Sequence, residues 1–320
     1  MPTPADPIIH LIMGPPASGK TTLAKQLCEG MPAAIRLSRD DTGGALRQLV
    51  PRVRKALQAG HHVVLDNLFA TVAERRPFID EAKKRRVTVT CTLVDLDIEQ
   101  CMINACRRII QACGRLLPPD EIERSRDPSV IPPVALFRYR KRFEPPSEGE
   151  GFESVEHVAG YRHAFAGTGK ALFVDYDGTL RETVGGGKYP VDPSQVRVLT
   201  GRAKVLKAYQ AMGYRILGVS NQSGIEGGKL TAALATACFE ETHRQLGLSI
   251  EHLCCPHRVP PITCYCRKPQ PGMAVEFIEK YGLKPSACIM VGDLGTDKTF
   301  AERLGMRFVP AAEFFRTSLT

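Results

Sequence analysis

Tryptophan is absent from this 320-residue chain, and aromatic residues together make up only 7% of it. Recognition of bare nucleobases by stacking needs exposed aromatic faces set among basic residues, and no such stripe is present. Missing too is any apolar run long enough to cross a bilayer, roughly eighteen residues. The stretch Met1 to Pro7 lacks a charged region leading into an apolar core with a small-residue cleavage site. These absences predict a soluble, cytoplasmic protein with no membrane partner. No internal repeat or extended low-complexity tract occurs, so the pattern is that of ordinary packed domains.

What is present is enough chain for two cores, since domains commonly take roughly 100 to 200 residues. Phe143 to Gly151 and Ala166 to Gly169 are rich in Pro, Gly and Ser, which places a domain boundary near residues 160 to 169, with domains over 1–162 and 163–320. The net charge is +9, and residues 161–320 alone hold 20 Lys and Arg against 14 Asp and Glu. Such an excess favours a polyanionic partner. Eleven cysteines are scattered along the chain apart from a cluster between Cys254 and Cys266. In a reducing compartment the scattered ones act as small buried hydrophobes, and the cluster needs a separate reason.

In both halves short apolar, β-branched segments alternate with helical patterns: Ile8 to Met13, His62 to Leu65 and Val87 to Val94, then Ala171 to Val174, Arg215 to Ser220 and Ala287 to Val291. This alternation predicts two α/β domains, each a parallel sheet covered by helices on both faces. Ligands in such sheets sit at the carboxyl ends of the strands.

The first of these strands runs into Gly14, Pro15, Pro16, Ala17, Ser18, Gly19, Lys20 and Thr21, followed by a helical pattern from Thr22 to Cys28. This is G-x-x-x-x-G-K-[ST] in its strand-to-helix context, a phosphate-binding loop. Gly14 and Gly19 let backbone amides wrap the phosphates, with Ser18 and Thr22 beside them. The helix N-terminus favours the anion, Lys20 reaches the β and γ phosphates, and Thr21 coordinates Mg²⁺, so ATP is the expected nucleotide. On the acceptor side, Arg36 to Asp41 (RLSRDD) places carboxylates where one could take a proton from an attacking hydroxyl. Asp66 ends a second strand and suits Mg²⁺ or its water. Asn104, Arg107, Arg108 and Arg115 precede Pro118 and Pro119 as a lid whose guanidinium groups would neutralise the transferred phosphoryl group.

These features resemble the P-loop domain of polynucleotide kinases over residues 8 to 158. The resemblance implies that Asp40 activates a 5′-hydroxyl and that Arg107 is a lid arginine. The chain departs from that family at Gly43 and Gly44, where an arginine is usual, and at Asp66, Asn67 and Leu68, which lack the D-x-T-N form.

The strand Ala171 to Val174 ends in Asp175, Tyr176, Asp177, Gly178 and Thr179, which resembles the first motif of the haloacid dehalogenase superfamily. The resemblance implies a Rossmann-like phosphatase in which Asp175 attacks phosphorus and Asp177 acts as acid, then base. Further motifs follow in order: Ser220 at a strand end to bind a phosphate oxygen, Lys268 to offset charge, and Asp293 with Asp175 and Asp177 for Mg²⁺, Asp297 supporting.

Cys255, His257, Cys264 and Cys266 spell C-x-H-x₆-C-x-C, four soft ligands suited to a structural Zn²⁺; a disulfide is the plainer alternative. Cys254 is read as a non-ligand. SNQSGI, the Cys-Pro-His pair and CYCRKPQPGM resemble the zinc-bearing phosphatases of heptose bisphosphate and histidinol phosphate over about residues 170 to 310. Those relatives carry an arginine where this chain has Gly227.

Two enzymatic readings follow. One is a bifunctional polynucleotide 5′-hydroxyl kinase and 3′-phosphatase acting on nucleic-acid ends. The other is a small-molecule kinase fused to a sugar-phosphate or histidinol-phosphate-like phosphatase. A non-catalytic, nucleotide-sensing or RNA-binding scaffold with degenerate sites is a third possibility, opposed by the intact Lys20, Asp175, Asp177 and Asp293.

Overall fold

The computed structural model describes residues 6–317; residues 1–5, part of the stretch read above for a leader, and 318–320 lie outside the described residues. The chain divides into two compact units, Met1–Asn104 with Arg126–His163, and Ala105–Ser125 with Ala164–Thr320.

In the first unit the strands are β1 (Ile8–Met13), β2 (Ala34–Leu37), β3 (His62–Asp66), β4 (Thr88–Asp95) and β5 (Val155–Ala159). They form one parallel sheet in the order β2-β3-β1-β4-β5. The central strand β1 is buried along its second half because both its neighbours and the helices on either face are apolar. Helices α1 (Lys20–Gly30), α2 (Arg39–Thr42), α3 (Val50–Gln58) and α4 (Val72–Arg85) cross between the early strands. After β4 comes α5 (Ile98–Cys113), which contributes its first half to this unit and its second half to the other. It is followed by α6 (Pro119–Arg124) and α7 (Pro133–Arg142).

Arg75 on α4 is fully buried and fastens the unit's far end: Nε and Nη2 donate to the two carboxylate oxygens of Glu150 at 2.8 and 2.7 Å, and Nη1 donates to the carbonyls of Phe69 and Glu144. All around it the core is Leu, Val, Ile and Phe, each contributing about 1.5–3 kcal/mol on burial.

The second unit has β6 (Ala171–Val174), a small antiparallel pair β7 (Arg181–Thr183) and β8 (Val196–Val198), then α8 (Arg202–Ala211), β9 (Arg215–Asn221), α9 (Ala232–Leu246) and β10 (Glu251–Cys255). It closes with α10 (Gly272–Tyr281), β11 (Ile289–Gly292), α11 (Gly295–Leu304), β12 (Arg307–Pro310) and α12 (Ala311–Thr317). Its five-stranded sheet is parallel, in the order β10-β9-β6-β11-β12. In chain order this is the doubly wound 3-2-1-4-5 arrangement, whose switch point falls between β6 and β11. Asp175 and Asp293 follow those two strands directly.

Ala105–Ser125, read from the sequence as part of the first domain, packs with the second unit. Arg107 Nε donates to Glu279 on α10 at 2.6 Å, and Leu116 lies against Gly272 at the start of the same helix. Among the described residues no helix is long and apolar enough to cross a membrane.

Candidate active sites

At the end of β1 the phosphate-binding loop is built on three left-handed residues: Gly14 (φ 145°), Ala17 (φ 62°) and Gly19 (φ 100°). A Cβ on Gly14 would sit 2.6 Å from the carbonyl oxygen of Val94, so only glycine fits. Asn104 on α5 holds the loop from beneath, its Nδ2 donating to the carbonyls of Ala17 at 2.9 Å and Tyr161 at 2.8 Å. Tyr161 in turn donates its amide to the carbonyl of Ser18 at 2.8 Å. Asn104, which the sequence reading grouped with the lid, is therefore a support of the loop.

Lys20 is buried, and Nζ folds back onto the carbonyl of Pro15 at 2.6 Å. Ser18 is also buried, with a hydroxyl that has no hydrogen-bond partner. A buried hydroxyl without a partner costs free energy, which a bound anion would recover. Thr21 and Thr22 lie exposed in the first turn of α1. This donor set fits the phosphates of a nucleotide.

At the ends of β2 and β3 an acid–base chain forms. Arg36 Nε donates to Asp66 at 3.0 Å, while Nη1 donates to Asp41 at 2.6 Å. Burial works against the Arg36 charge, yet Asp66 and Asp41 hold its pKa above the ordinary value. The buried Asp66 thus has a protein cation as partner before any metal arrives. Asn67 Oδ1 accepts from the amide of Arg39, and the Ser38 hydroxyl caps α2 by accepting from the amide of Asp40. The side chain of Asp40 stays exposed. The two lid arginines whose partners are defined both pair in the second unit: Arg107 with Glu279, and Arg115 with Glu121.

In the second unit the expected motifs converge. Lys268, fully buried, places Nζ 2.6 Å from Asp175 Oδ1, 2.7 Å from Asp297 Oδ1 and 2.9 Å from the carbonyl of Val219. Burial pushes the Asp175 carboxyl up to about 7, with the Lys268 cation pulling against it. The loop carrying Lys268 is docked on Asn221, which accepts from the Lys268 amide and donates to its carbonyl, both at 3.0 Å. Ser220 is buried beside them, its hydroxyl oxygen accepting from Gln222 Nε2 at 2.9 Å, which leaves its own proton available to a phosphate oxygen.

Carboxylate oxygens of Asp175, Asp293 and Asp297 lie within 4.8 Å of one another, an all-oxygen set that fits Mg²⁺. Gly178 makes this possible: at φ 86° it passes so close to Asp293 that a Cβ would lie 2.4 Å from Oδ2. Thr179 donates to the other oxygen at 3.4 Å. The Asp177 carboxylate stands apart from this set. Arg181 Nε donates to Oδ1 and Gln222 Nε2 to Oδ2, each at 2.8 Å. Of the three aspartates expected around the metal, Asp175 and Asp293 lie in this set together with Asp297, whereas the Asp177 carboxylate is turned to Arg181 and Gln222.

Cys255, His257, Cys264 and Cys266 also meet within 4.8 Å. Cys255 Sγ is 3.7 Å from Cys264 Sγ and 3.4 Å from His257 Nδ1, and His257 Nδ1 is 3.2 Å from Cys266 Sγ. A tetrahedron with zinc–sulfur arms of about 2.3 Å has sulfur–sulfur edges of about 3.8 Å, whereas a disulfide needs about 2.05 Å. The set therefore fits Zn²⁺ and not a cystine. Cys254 lies outside it, packed on the core. The loop is tied to the phosphatase motifs through backbone carbonyls: the Gln222 backbone N–H donates to Cys255 at 2.7 Å, and Arg267 Nη1 donates to His257 at 3.0 Å. Beside Gly227 the guanidinium of Arg258 lies 3.3 Å from where a Cβ would be. Its backbone amide donates to Glu226.

Known proteins divide along the same line. Residues 9–109 match the model of the AAA domain family, and residues 265–311 match the HAD-hydrolase-like family. A Thermoplasma volcanium protein named "Probable D-glycero-D-manno-heptose-1,7-bisphosphate 7-phosphatase" is 34% identical over 144 residues, covering 43% of this chain and 96% of that protein. The histidine biosynthesis bifunctional protein HisB of Legionella pneumophila is 30% identical over 149 residues, covering 45% of this chain and 42% of that one. A chain of the Pnkp1/Rnl/Hen1 RNA repair complex aligns over 97% of both chains at 18% identity and a TM-score of 0.32. Through its second half the chain belongs to the HAD-like phosphatases, the family of the heptose-bisphosphate phosphatases, and it carries a P-loop domain of the AAA type in front.

Proposed function

We propose that the protein is a bifunctional enzyme of nucleic-acid ends, an ATP-dependent 5′-hydroxyl kinase joined to a 3′-phosphatase. The observation that carries this reading is the pairing, in one basic chain, of two phosphoryl-handling sites at the strand ends of two parallel sheets. One is equipped to take a phosphoryl group from a nucleotide and the other to remove one from an ester. The net charge of +9 favours a polyanionic substrate.

At the kinase site Lys20, Ser18 and the first amides of α1 hold the ATP phosphates, with Gly14 and Gly19 shaping the cradle. Thr21 and Asp66 would hold Mg²⁺, and Asp40 accepts the proton of the attacking hydroxyl. At the phosphatase site an oxygen of Asp175 attacks phosphorus; the bond to the leaving oxygen breaks, and that oxygen takes a proton from the Asp177 carboxyl. Water then attacks the aspartyl-phosphate, Asp177 takes its proton, and Asp175 is released with inorganic phosphate. Ser220 and Lys268 bind the phosphate oxygens throughout. Mg²⁺ held by Asp175 and Asp293 would offset charge on the phosphate. Zn²⁺ on the four-ligand loop would stiffen the segment that presents Lys268.

A second reading, a small-molecule kinase fused to a sugar-phosphate or histidinol-phosphate-like phosphatase, is favoured by the zinc loop and by the 34% identity to the heptose-bisphosphate phosphatase. A short single strand bearing 5′-hydroxyl and 3′-phosphate, incubated with the protein, Mg²⁺ and ATP and resolved by mass, separates the two. Gain of the 5′-phosphate and loss of the 3′-phosphate is the expected result. Unchanged ends together with hydrolysis of free sugar phosphates would overturn it in favour of the second reading.

A further inference from the structure

Among the groups that the proposed chemistry leaves unused is a buried arginine beside the acid. Arg181 lies on β7 four residues after Asp177, and its side chain is 2% exposed. Its Nε donates to Asp177 Oδ1 at 2.8 Å, and its Nη1 donates to the Cys238 carbonyl at 2.8 Å and to Thr242 Oγ1 at 2.9 Å, both on α9. The guanidinium carbon lies 4.9 Å from the ring centre of Phe239 and 5.3 Å from that of Tyr176. The backbone is drawn into the same knot: the Arg181 amide donates to Tyr176 and its carbonyl accepts from Gly178.

We propose that Arg181 is the positioning residue for proton delivery by Asp177, an inference that rests on the reading of Asp177 as the acid and base of the phosphatase. A buried guanidinium needs acceptors, and Oδ1 of Asp177 is the carboxyl oxygen that meets its Nε, accepting whether or not Oδ2 carries the proton. Swinging Asp177 aside would strand the cation, so the pair holds one geometry. Gln222 fixes the second oxygen at 2.8 Å and bonds the same amide to Ser220, tying the acid to the phosphate-binding hydroxyl. Each carboxylate oxygen has a second lone pair, so neither bond blocks the proton it must carry. With α9 anchoring the guanidinium, the acid is aimed by groups far from it in sequence.

The test compares two substrates in the full-length protein. An alkyl phosphate needs its leaving oxygen protonated, whereas p-nitrophenolate departs without a proton. For Arg181→Gln, kcat on the alkyl ester should fall roughly 100-fold, the scale of general acid catalysis, with KM within about threefold and the p-nitrophenyl ester losing less than about tenfold. Arg181→Lys should recover part of the loss. Thr242→Val, which removes an anchor and keeps the cation, should give a smaller loss with the same selectivity. It also serves if Arg181→Gln fails to fold. Equal losses on both substrates, or none, would overturn the proposal. Asp177→Asn is run alongside: selectivity there without selectivity at Arg181 defeats the positioning role alone, whereas no selectivity at Asp177 defeats the acid reading itself.

Discussion

His243 illustrates how a single residue couples the phosphatase core to pH. Burial, with His252 and Arg181 nearby, pushes its pKa down to about 4 from 6.5, and Tyr176 shares a 2.9 Å hydrogen bond with its Nε2. The folded protein thus prefers the neutral ring. Above pH 6.5 that preference has no effect on stability, because the unfolded chain is neutral there as well. As pH falls from 6.5 towards 4 the unfolded chain gains a proton that the folded chain resists, and stability drops. Since the ring is only half-buried, the loss is at most about 1–2 kcal/mol. Urea unfolding at pH 7 and pH 5 should show His243→Gln losing less stability on acidification than the unaltered protein. Parallel losses would show that the ring does not titrate in this way.

Residues of this kind explain what the sequence could and could not disclose. The placing of Gly14 to Thr21, Asp175, Ser220 and Asp293 at strand ends was readable because phosphate-handling motifs set fixed residue types at fixed offsets from a strand end. Arg181, Gln222 and Arg258 were not, because what they do depends on partners 57, 45 and 31 positions away, which no spacing motif reveals. Asn104 was noticed for its neighbour Arg107, yet its work is to hold Ala17 and Tyr161.

Among the elements, the loop of Cys255, His257, Cys264 and Cys266, proposed to hold Zn²⁺, makes the clearest link to the phosphatase motifs. Cys266, Arg267 and Lys268 are consecutive, so whatever anchors the first constrains the third. Cys264→Ser removes one sulfur from the four-ligand set. Zinc content by atomic absorption should fall, and phosphatase activity should fall with it by about tenfold or more, in the range seen when metal-site support is lost. Unchanged zinc content would take Cys264 out of the set. The α4 staple acts on stability alone: Arg75→Met leaves Glu150 buried without its cation, and breaking such a pair from one side costs about 3–5 kcal/mol. A drop in denaturation midpoint with the phosphatase unimpaired is the expected outcome, and an unchanged midpoint would mean that Glu150 finds water or another donor. The sequence displayed both parallel sheets through their apolar strands. It concealed the allegiance of Ala105–Ser125, since α5 is a continuous helix and its change of partner leaves no mark on periodicity.

At the scale of the whole molecule, the two sites share a chain but no reacting group. Lys20 and the phosphate-binding loop lie in the first unit, whereas Asp175, Lys268 and Asp293 lie in the second. Each sheet has its own core, so a substitution that removes one functional group should leave the other unit folded. Lys20→Ala deletes the cation proposed to meet the transferred phosphoryl group, and kinase turnover should fall about 10²–10³-fold with phosphatase turnover unchanged. Asp175→Asn deletes the proposed nucleophile while keeping the shape of the side chain. Phosphatase turnover should then fall by about 10³-fold or more, with the kinase unaffected. Both variants should be assayed on the doubly modified strand, each end followed by mass, beside a thermal melt to confirm folding. If either substitution abolished both activities in a folded protein, the two sites would be steps of a single reaction, and the picture of two independent phosphoryl-transfer enzymes in one chain would have to be given up.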